Sequence, residues 1–207
     1  MTIILRTLEA LEAAQLITAD ERISLEPVAE LYAIGITESM IKLIDKSDPD
    51  DPIRKQFIPD IRELNVKPAE HYDPIGDTAH SPLQGIVHRY PDRVLLKLTH
   101  VCPVYCRFCF RREMVGPGRS EALSEKALQA ALAYIEQHKT IWEVIITGGD
   151  PLILSHRRLS EISEKLSAFD HVRVVRWHTR VPVVDPHSVT DELSEAISPK
   201  GKSTWLA

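Results

Sequence analysis

The sequence predicts an α/β protein, with a parallel sheet or barrel preceded by a helical and proline-rich region. Three observations lead to this class. From residue 93 onward, short apolar runs alternate with amphipathic helical patterns. Prolines interrupt residues 46–92, where long regular elements are not expected. Leucines recur at three- to five-residue steps near the N-terminus, which is typical of helices. We therefore divide the chain into an N-terminal helical and proline-rich region, 1–92, and an α/β core, 93–207.

The core region repeats a strand-then-helix order along the chain. Apolar runs predict four strands, at residues 94–98, 142–146, 172–177 and 203–207. Helices are predicted between them, at residues 124–138, 159–166 and 191–197, the first with Ser124 as its N-cap. Consecutive parallel strands joined in this way form a sheet or a barrel, whose chemistry gathers at the C-terminal ends of the strands. Unusual segments follow each of the first three strands: the cysteines, then Gly148-Gly149-Asp150-Pro151, then His178-Thr179-Arg180. Their common position at the strand ends predicts one shared site.

The composition excludes several classes of function. A net charge of −5, from 25 basic and 30 acidic residues, gives no general attraction to nucleic acid or to an anionic membrane. No apolar run approaches the roughly 20 residues that span a bilayer. The N-terminus lacks the basic start, the continuous apolar stretch and the cleavage site of a secretory signal. We expect a cytoplasmic protein with no nucleic-acid partner and no membrane partner.

The three cysteines of the chain follow the first predicted strand in the pattern C-x3-C-x2-C. Cys102, Cys106 and Cys109 lie within eight residues, and the sequence holds no other cysteine. An odd, clustered set in such a chain is not a disulfide framework. Thiolates are strong ligands of iron–sulfur clusters, and three of them leave one iron of a [4Fe–4S] cluster open to a small molecule. A zinc site with His100 as fourth ligand, or three buried structural cysteines, are the alternatives.

The second and third predicted strands also end in segments suited to ligand binding. Thr147-Gly148-Gly149-Asp150 follows the second strand, and glycines allow the backbone to approach a ligand closely. Asp150 could accept a hydrogen bond from an ammonium group. His178 and Arg180 follow the third strand, where a carboxylate, a ribose or a substrate could be contacted. A glycine-rich turn and a structural ion pair are the purely structural interpretations.

The cysteine spacing, with Phe108 just before the third cysteine, resembles the radical S-adenosylmethionine (SAM) signature. The turn Gly148-Gly149-Asp150 resembles the Gly-Gly-Glu-type motif that holds the amino group of SAM in that superfamily, with Asp in place of Glu. The resemblance implies a partial radical SAM (β/α) barrel. It also implies that a [4Fe–4S] cluster cleaves SAM reductively to a 5′-deoxyadenosyl radical. The implied SAM-binding residues are Phe108, Thr147, Gly148, Gly149, Asp150, His178 and Arg180.

The segment around the cysteines is similar to the lysine 2,3-aminomutase family. The similarity rests on His88-Arg-Tyr-Pro-Asp-Arg93, on Phe110-Arg-Arg112 and on Arg180-Val-Pro-Val-Val. It implies migration of an amino group, L-lysine to β-lysine, with pyridoxal 5′-phosphate (PLP) as a further cofactor. Arg89 matches the position that binds the PLP phosphate, and Arg111 matches the position that holds the substrate carboxylate.

The resemblance also implies what lies outside this sequence. Family members continue beyond the position that matches Ala207, and their PLP-binding lysine lies in that later part. We therefore expect an N-terminal portion of a longer protein, truncated after about the fourth strand and homo-oligomeric at full length. The implied partners are a small amino-acid substrate and a flavodoxin- or ferredoxin-type electron donor. The alternatives are a radical SAM enzyme that modifies a protein lysine or another amino acid, and an inactive iron–sulfur or zinc-binding fragment.

Overall fold

The computed structural model describes residues 3–115 and 122–207, which fall into two compact units. The N-terminal unit lies within Met1–Ile75 and Cys102–Pro117, and the sheet unit lies within Gly76–Val101 and Gly118–Ala207. This division differs from the predicted boundary at residue 92. Residues 76–92 belong with the sheet, and the cysteine segment belongs with the N-terminal residues.

The N-terminal unit is built from short helices and one small strand pair. Strands β1 and β2 pair antiparallel. The strands are β1 (Ile4–Leu5) and β2 (Ile36–Thr37), and the helices are α1 (Leu8–Ala13), α2 (Ala19–Leu31), α3 (Glu38–Ile41) and α4 (Arg54–Phe57). Helix α2 begins with a capping box, in which Thr18 accepts from the Glu21 N–H and Glu21 accepts from the Thr18 N–H. The predicted helical character of the N-terminal residues is confirmed by α1 and α2, whereas the β1–β2 pair is not expected from the leucine spacing.

The sheet unit contains a five-stranded sheet in the order β3-β4-β5-β6-β7. The strands are β3 (Ile86–Tyr90), β4 (Arg93–Thr99), β5 (Glu143–Gly148), β6 (Val174–Trp177) and β7 (Ser203–Leu206). Strands β4 to β7 are mutually parallel, and β3 pairs antiparallel with β4. All four predicted strands are therefore confirmed as a parallel α/β sheet. Strand β3 is an addition that the proline-rich pattern concealed.

Helices of the sheet unit pack on one face of the sheet. They are α5 (Glu125–Gln137), α6 (His156–Ser167), α7 (Val181–Val184) and α8 (Asp191–Ala196). Alternate strand residues such as Leu96, Ile146 and Trp177 share one buried core with residues of α5, α6 and α8. Their neighbours Leu95 and Ile145 are only half-buried and lie outside that core. Helices on a single face match the singly wound arrangement of a (β/α) barrel, here as an open sheet with β3 and β7 at its edges.

Ser124 caps α5 as predicted, with its hydroxyl oxygen accepting from the Ala127 N–H at 3.2 Å. Leu128, Leu132 and Ile135 then form the buried face of that helix. The helices that the structure describes are all too short or too polar to span a lipid bilayer.

Candidate functional site

The three cysteines lie on a loop that follows β4 in the chain and belongs to the N-terminal unit. All three are half-buried and none forms a disulfide. The loop is a succession of tight turns. The Cys109 N–H donates to the Cys106 carbonyl at 3.0 Å, and the Arg112 N–H donates to the Cys109 carbonyl at 3.0 Å. The second and third cysteines are thus joined directly through their peptide groups.

Buried neighbours anchor this loop within the N-terminal unit. Val104 and Tyr105 are 4% and 5% exposed. The Tyr105 N–H donates to the Gly35 carbonyl at 2.8 Å, and the Tyr105 hydroxyl donates to the Arg112 carbonyl at 3.1 Å. A Cβ on Gly35 would lie 2.9 Å from the Tyr105 nitrogen, so a side chain at that position would displace the loop. Burial raises the pKa of the Tyr105 phenol, which keeps it protonated as a donor.

The donor set of this loop fits an iron–sulfur cluster by its chemistry, because thiolates are the ligands that such clusters take in proteins. Within residues 3–115 and 122–207, no three His, Cys, Asp or Glu side chains form a ready-made group for a single metal ion. The fit therefore rests on the three thiols of one short loop and not on a preassembled ion site.

Two further predicted residues flank the third cysteine. Phe108 is 66% exposed and lines a cavity of about 810 Å³ in the N-terminal unit. A cavity of that size falls within the range that holds small-molecule ligands. Arg111 is half-buried, with its guanidinium carbon 4.5 Å from the centre of the Phe110 ring. Their predicted contacts with SAM and with a substrate carboxylate stay predictions.

The glycine turn at the end of β5 lies directly against the end of β4. The Gly149 N–H donates to the Thr99 carbonyl at 2.6 Å, and the Asp150 N–H donates to the Val101 carbonyl at 2.9 Å. Gly148 has φ +115°, and a Cβ on it would lie 2.3 Å from the Thr99 oxygen. A Cβ on Gly149 would lie 2.3 Å from the Val101 oxygen. Both positions exclude any side chain, so the turn presents its peptide groups.

Asp150 uses its buried carboxylate to join the ends of β5 and β6. One oxygen accepts from the Leu152 N–H at 3.1 Å and from the Thr179 hydroxyl at 2.7 Å. The other oxygen accepts from the Arg180 N–H at 2.7 Å. Burial raises the pKa of this carboxyl above its ordinary value of 3.8, against the lowering effect of these hydrogen bonds. The predicted contact with an ammonium group stays a prediction, but a positioning role for Asp150 is visible in these bonds.

The segment after β6 continues this network to β7. The His178 N–H donates to the Ile146 carbonyl at 2.9 Å, and the Thr179 N–H donates to the Ala207 carbonyl at 2.8 Å. His178 and Arg180 are both half-buried. The structure thus brings Asp150 and Arg180 together, as predicted. The contact joins the Asp150 carboxylate to the backbone N–H of Arg180.

The raised pKa of Asp150 predicts a pH-dependent difference between the native protein and Asp150→Asn. A carboxyl whose pKa is raised in the folded state stabilises the fold most when it is protonated. Its contribution to the free energy of unfolding is therefore present below pH 3.8 and is lost as the pH rises through the folded-state pKa. The free energy of unfolding of the native protein, relative to Asp150→Asn, should therefore fall as the pH rises from 3.8 toward neutrality. Denaturant unfolding of both metal-free proteins across this range measures it. A relative stability that rises with pH would contradict the assignment.

Arg89 lies in β3, where its guanidinium is 3.7 Å from the Asp77 carboxylate. Asp77 is almost completely buried, whereas the Arg89 side chain is 35% exposed. Asp92, three residues further on, accepts from Arg93 and from the Trp142 indole. The predicted contact of Arg89 with a PLP phosphate stays a prediction.

Sequence reasoning missed two residues that hold the cysteine loop in place. Arg107 stands between the second and third cysteines and is 8% exposed, and its guanidinium pairs with Glu63. A basic residue between two predicted cluster ligands could have indicated this contact, because a buried charge has to be paired, either with the ligand or with a carboxylate. Nothing in the spacing of Glu63 indicates that it is the partner.

Comparison with known proteins gives matches along the whole chain. The Radical SAM superfamily matches residues 96–201. The chain is 37% identical over 202 residues to an L-lysine 2,3-aminomutase of Clostridium subterminale, covering 98% of this chain and 48% of that protein. The corresponding protein of Bacillus subtilis is 35% identical over 206 residues, covering 100% of this chain and 43% of the relative. That of Methanococcus maripaludis is 37% identical over 205 residues, with 98% and 47% covered.

The chain spans about half the length of the curated relatives that it matches. The superfamily match contains all three cysteines and the glycine turn, and it covers the parallel strands from within β4 onward as far as residue 201. With the parallel sheet, the one-sided helices and the C-x3-C-x2-C loop, this match establishes that the chain belongs to the radical SAM superfamily.

Proposed function

We propose that this chain takes part in a radical SAM aminomutase reaction, in which an amino group migrates between adjacent carbons of an amino acid. The observation that carries the proposal is the half-buried, disulfide-free C-x3-C-x2-C loop. Support for the reaction class comes from the 37% identity over 202 residues to an L-lysine 2,3-aminomutase. We propose L-lysine as the substrate and β-lysine as the product, with a reducing flavodoxin- or ferredoxin-type protein as electron donor in the cytoplasm.

The cluster-binding role falls to Cys102, Cys106 and Cys109. Their three thiolates would bind three irons of a [4Fe–4S] cluster and would leave the fourth iron for SAM. When bound, the cluster, SAM and PLP supply a 5′-deoxyadenosyl radical and a conjugated ring that assists migration of nitrogen. The loop contributes ligands and a partly dry environment, which the burial of Val104 and Tyr105 provides.

The SAM-binding role falls to the turn after β5. Because Gly148 and Gly149 exclude side chains, their peptide groups are the atoms that a ligand can approach. The Asp150 carboxylate accepts from the Leu152 N–H, the Thr179 hydroxyl and the Arg180 N–H, and the Val181 N–H is a further backbone donor to it. We assign to Asp150 the role of fixing the turn and of accepting from the amino group of SAM. Phe108, Thr147, His178 and Arg180 are also assigned to this ligand.

Two arginines are assigned to anionic groups. A guanidinium presents parallel donors that suit phosphate and carboxylate oxygens. Arg89 is assigned to the PLP phosphate, with Asp77 holding one side of its guanidinium. Arg111 is assigned to the substrate carboxylate. PLP has no assigned lysine in this chain.

The test of the proposal is anaerobic reconstitution with iron and sulfide, followed by reduction and low-temperature EPR spectroscopy with and without SAM. We expect a [4Fe–4S]⁺ signal whose shape changes when SAM is added, because SAM coordinates the open iron. An EPR signal that is unchanged by SAM, or a protein that binds zinc in preference to iron, would contradict the proposed function.

Substrate and reaction are tested separately by product analysis with L-lysine, PLP and SAM. Appearance of β-lysine supports the aminomutase assignment. SAM cleavage without β-lysine would favour a radical SAM reaction on another amino acid or on a protein lysine.

A further inference from the structure

We propose that Glu63 is a positioning residue for the cluster-binding loop and acts through Arg107. The inference rests on the proposed function for its biological meaning, but its structural basis lies within the N-terminal unit alone. Arg107 directly follows Cys106 in the chain, so contacts that hold Arg107 in one position also restrict the position of the second cysteine. The question is which contacts hold Arg107 and whether they are rigid.

All three nitrogens of the Arg107 guanidinium donate hydrogen bonds inside the protein. Its Nε donates to Glu63 Oε1 at 2.9 Å and its Nη2 donates to Glu63 Oε2 at 2.6 Å, which forms a two-pronged ion pair. Its Nη1 donates to the Ala33 carbonyl at 2.7 Å. The Tyr105 ring lies 4.9 Å from the guanidinium carbon. Arg107 therefore occupies one defined position.

The pair is buried on both sides. The exposed fractions of the two side chains are 6% for Arg107 and 12% for Glu63. Breaking such a pair by removing one charge leaves the other charge unpaired away from water, which is far more costly than losing a surface ion pair. The loop would then leave its position so that Arg107 could reach water.

Glu63 is itself held by the start of its own short helix. It lies in the 3₁₀ helix Ile61–Leu64, which begins with a capping box. The Asp60 N–H donates to Glu63 Oε1 at 3.0 Å, the same oxygen that accepts from Arg107. The carboxylate is thus oriented by its own helix as well as by Arg107, which is what a positioning residue requires.

The backbone on both sides of Cys106 is fixed by the same N-terminal residues. The Tyr105 N–H donates to the Gly35 carbonyl and the Arg107 N–H donates to the Gln56 carbonyl, each at 2.8 Å. The backbone of the residue before Cys106 and of the residue after it is therefore held by hydrogen bonds.

The test uses the metal-free, reduced chain and compares Glu63→Gln with Glu12→Gln. Glu12 is a matched control, because it pairs with Arg22 at 2.8 Å in the same unit and its side chain is 36% exposed. Iodoacetamide labelling is followed at each cysteine by peptide mass spectrometry, at a pH where all thiols are ionised. We expect Glu63→Gln to speed labelling of Cys106 at least about tenfold, and Glu12→Gln to leave the rate unchanged.

A second pair of variants separates positioning from general unfolding. Arg107→Gln combined with Glu63→Gln removes both charges of this pair. Arg112, which lies 3.8 Å from Glu63, keeps Glu70 and Glu113 as partners, so labelling should slow again toward the native rate. Arg107→Lys keeps the charge but loses the two-pronged geometry, and an intermediate labelling rate is expected. Circular dichroism confirms that each variant compared is folded, and Arg107→Lys replaces Glu63→Gln if the latter is not.

Equal labelling rates in native protein, Glu63→Gln and Arg107→Lys would overturn the proposal. A double variant that labels as fast as Glu63→Gln would also overturn it, because the ion pair would then not be the cause. These outcomes do not depend on a cluster. An EPR spectrum of the native protein that does not change on adding SAM would instead contradict the proposed function. It would not affect the conclusion drawn from the labelling rates.

Discussion

Substitution of Cys106 by alanine is expected to abolish cluster assembly and reductive cleavage of SAM together. Each cysteine is assigned to one iron, and the chain contains no fourth cysteine that could replace a lost ligand. The variant should fold normally, because Cys106 is only half-buried and its replacement removes little packing. Iron and sulfide per chain after reconstitution, together with 5′-deoxyadenosine formed from SAM, measure the effect.

Cys102→Ala and Cys109→Ala are the parallel variants, and the same loss is expected from each. Far-ultraviolet circular dichroism of the metal-free proteins shows whether the fold is kept. Full iron, sulfide and SAM cleavage in Cys106→Ala would remove this residue from the site and with it the three-thiolate assignment.

The second large effect is expected from Gly148→Ala, for two separate physical reasons. A residue with φ +115° is strained once it carries a Cβ, and that Cβ would lie 2.3 Å from the Thr99 carbonyl oxygen. Strained backbone and overpacking each cost roughly 1–3 kcal/mol, so we expect a fall of about 2–6 kcal/mol in the free energy of unfolding. SAM affinity, measured by equilibrium dialysis on reconstituted protein, should fall more than about tenfold.

Gly201→Ala is the matched control for this variant. Gly201 has φ +72°, but among residues 3–115 and 122–207, its chain neighbours aside, no heavy atom lies within 4 Å of the position that its Cβ would take. It therefore carries the backbone strain without the overlap, and it should cost only about 1 kcal/mol of stability without changing SAM affinity. Equal losses of stability and of SAM affinity in the two variants would contradict the prediction, because the close approach of the turn to β4 would then have no effect of its own.

The sheet could be predicted from sequence because its signals are local. The apolar run at 94–98 and the run at 142–146 both became parallel strands, and Ser124 caps its helix as its residue type suggests. Strand β3 was missed because it is flanked by prolines and half of it faces solvent. Only its pairing with β4, across the turn at Pro91 and Asp92, makes it a strand.

Part of the candidate site was also predictable, and the remainder was not. The cysteines and the glycine turn carry their chemistry in adjacent residues, so spacing alone identifies them. The partners of Asp150 lie 29 and 30 residues further along the chain, at Thr179 and Arg180. Glu63 and Arg107 are 44 residues apart. Such pairings depend on tertiary packing, which no local pattern encodes.

The contacts that hold the cysteine loop also bear on when its thiols become protected. The loop joins residues that are 44, 74 and 80 positions apart in the chain, through Glu63, Ala33 and Tyr32. Contacts of such long range close slowly, because the entropy of the intervening chain must be lost first. The loop is therefore expected to reach its native position late in folding. Until then its thiols are open to oxidation, so the speed of folding relative to the oxidant determines how many chains can still accept iron.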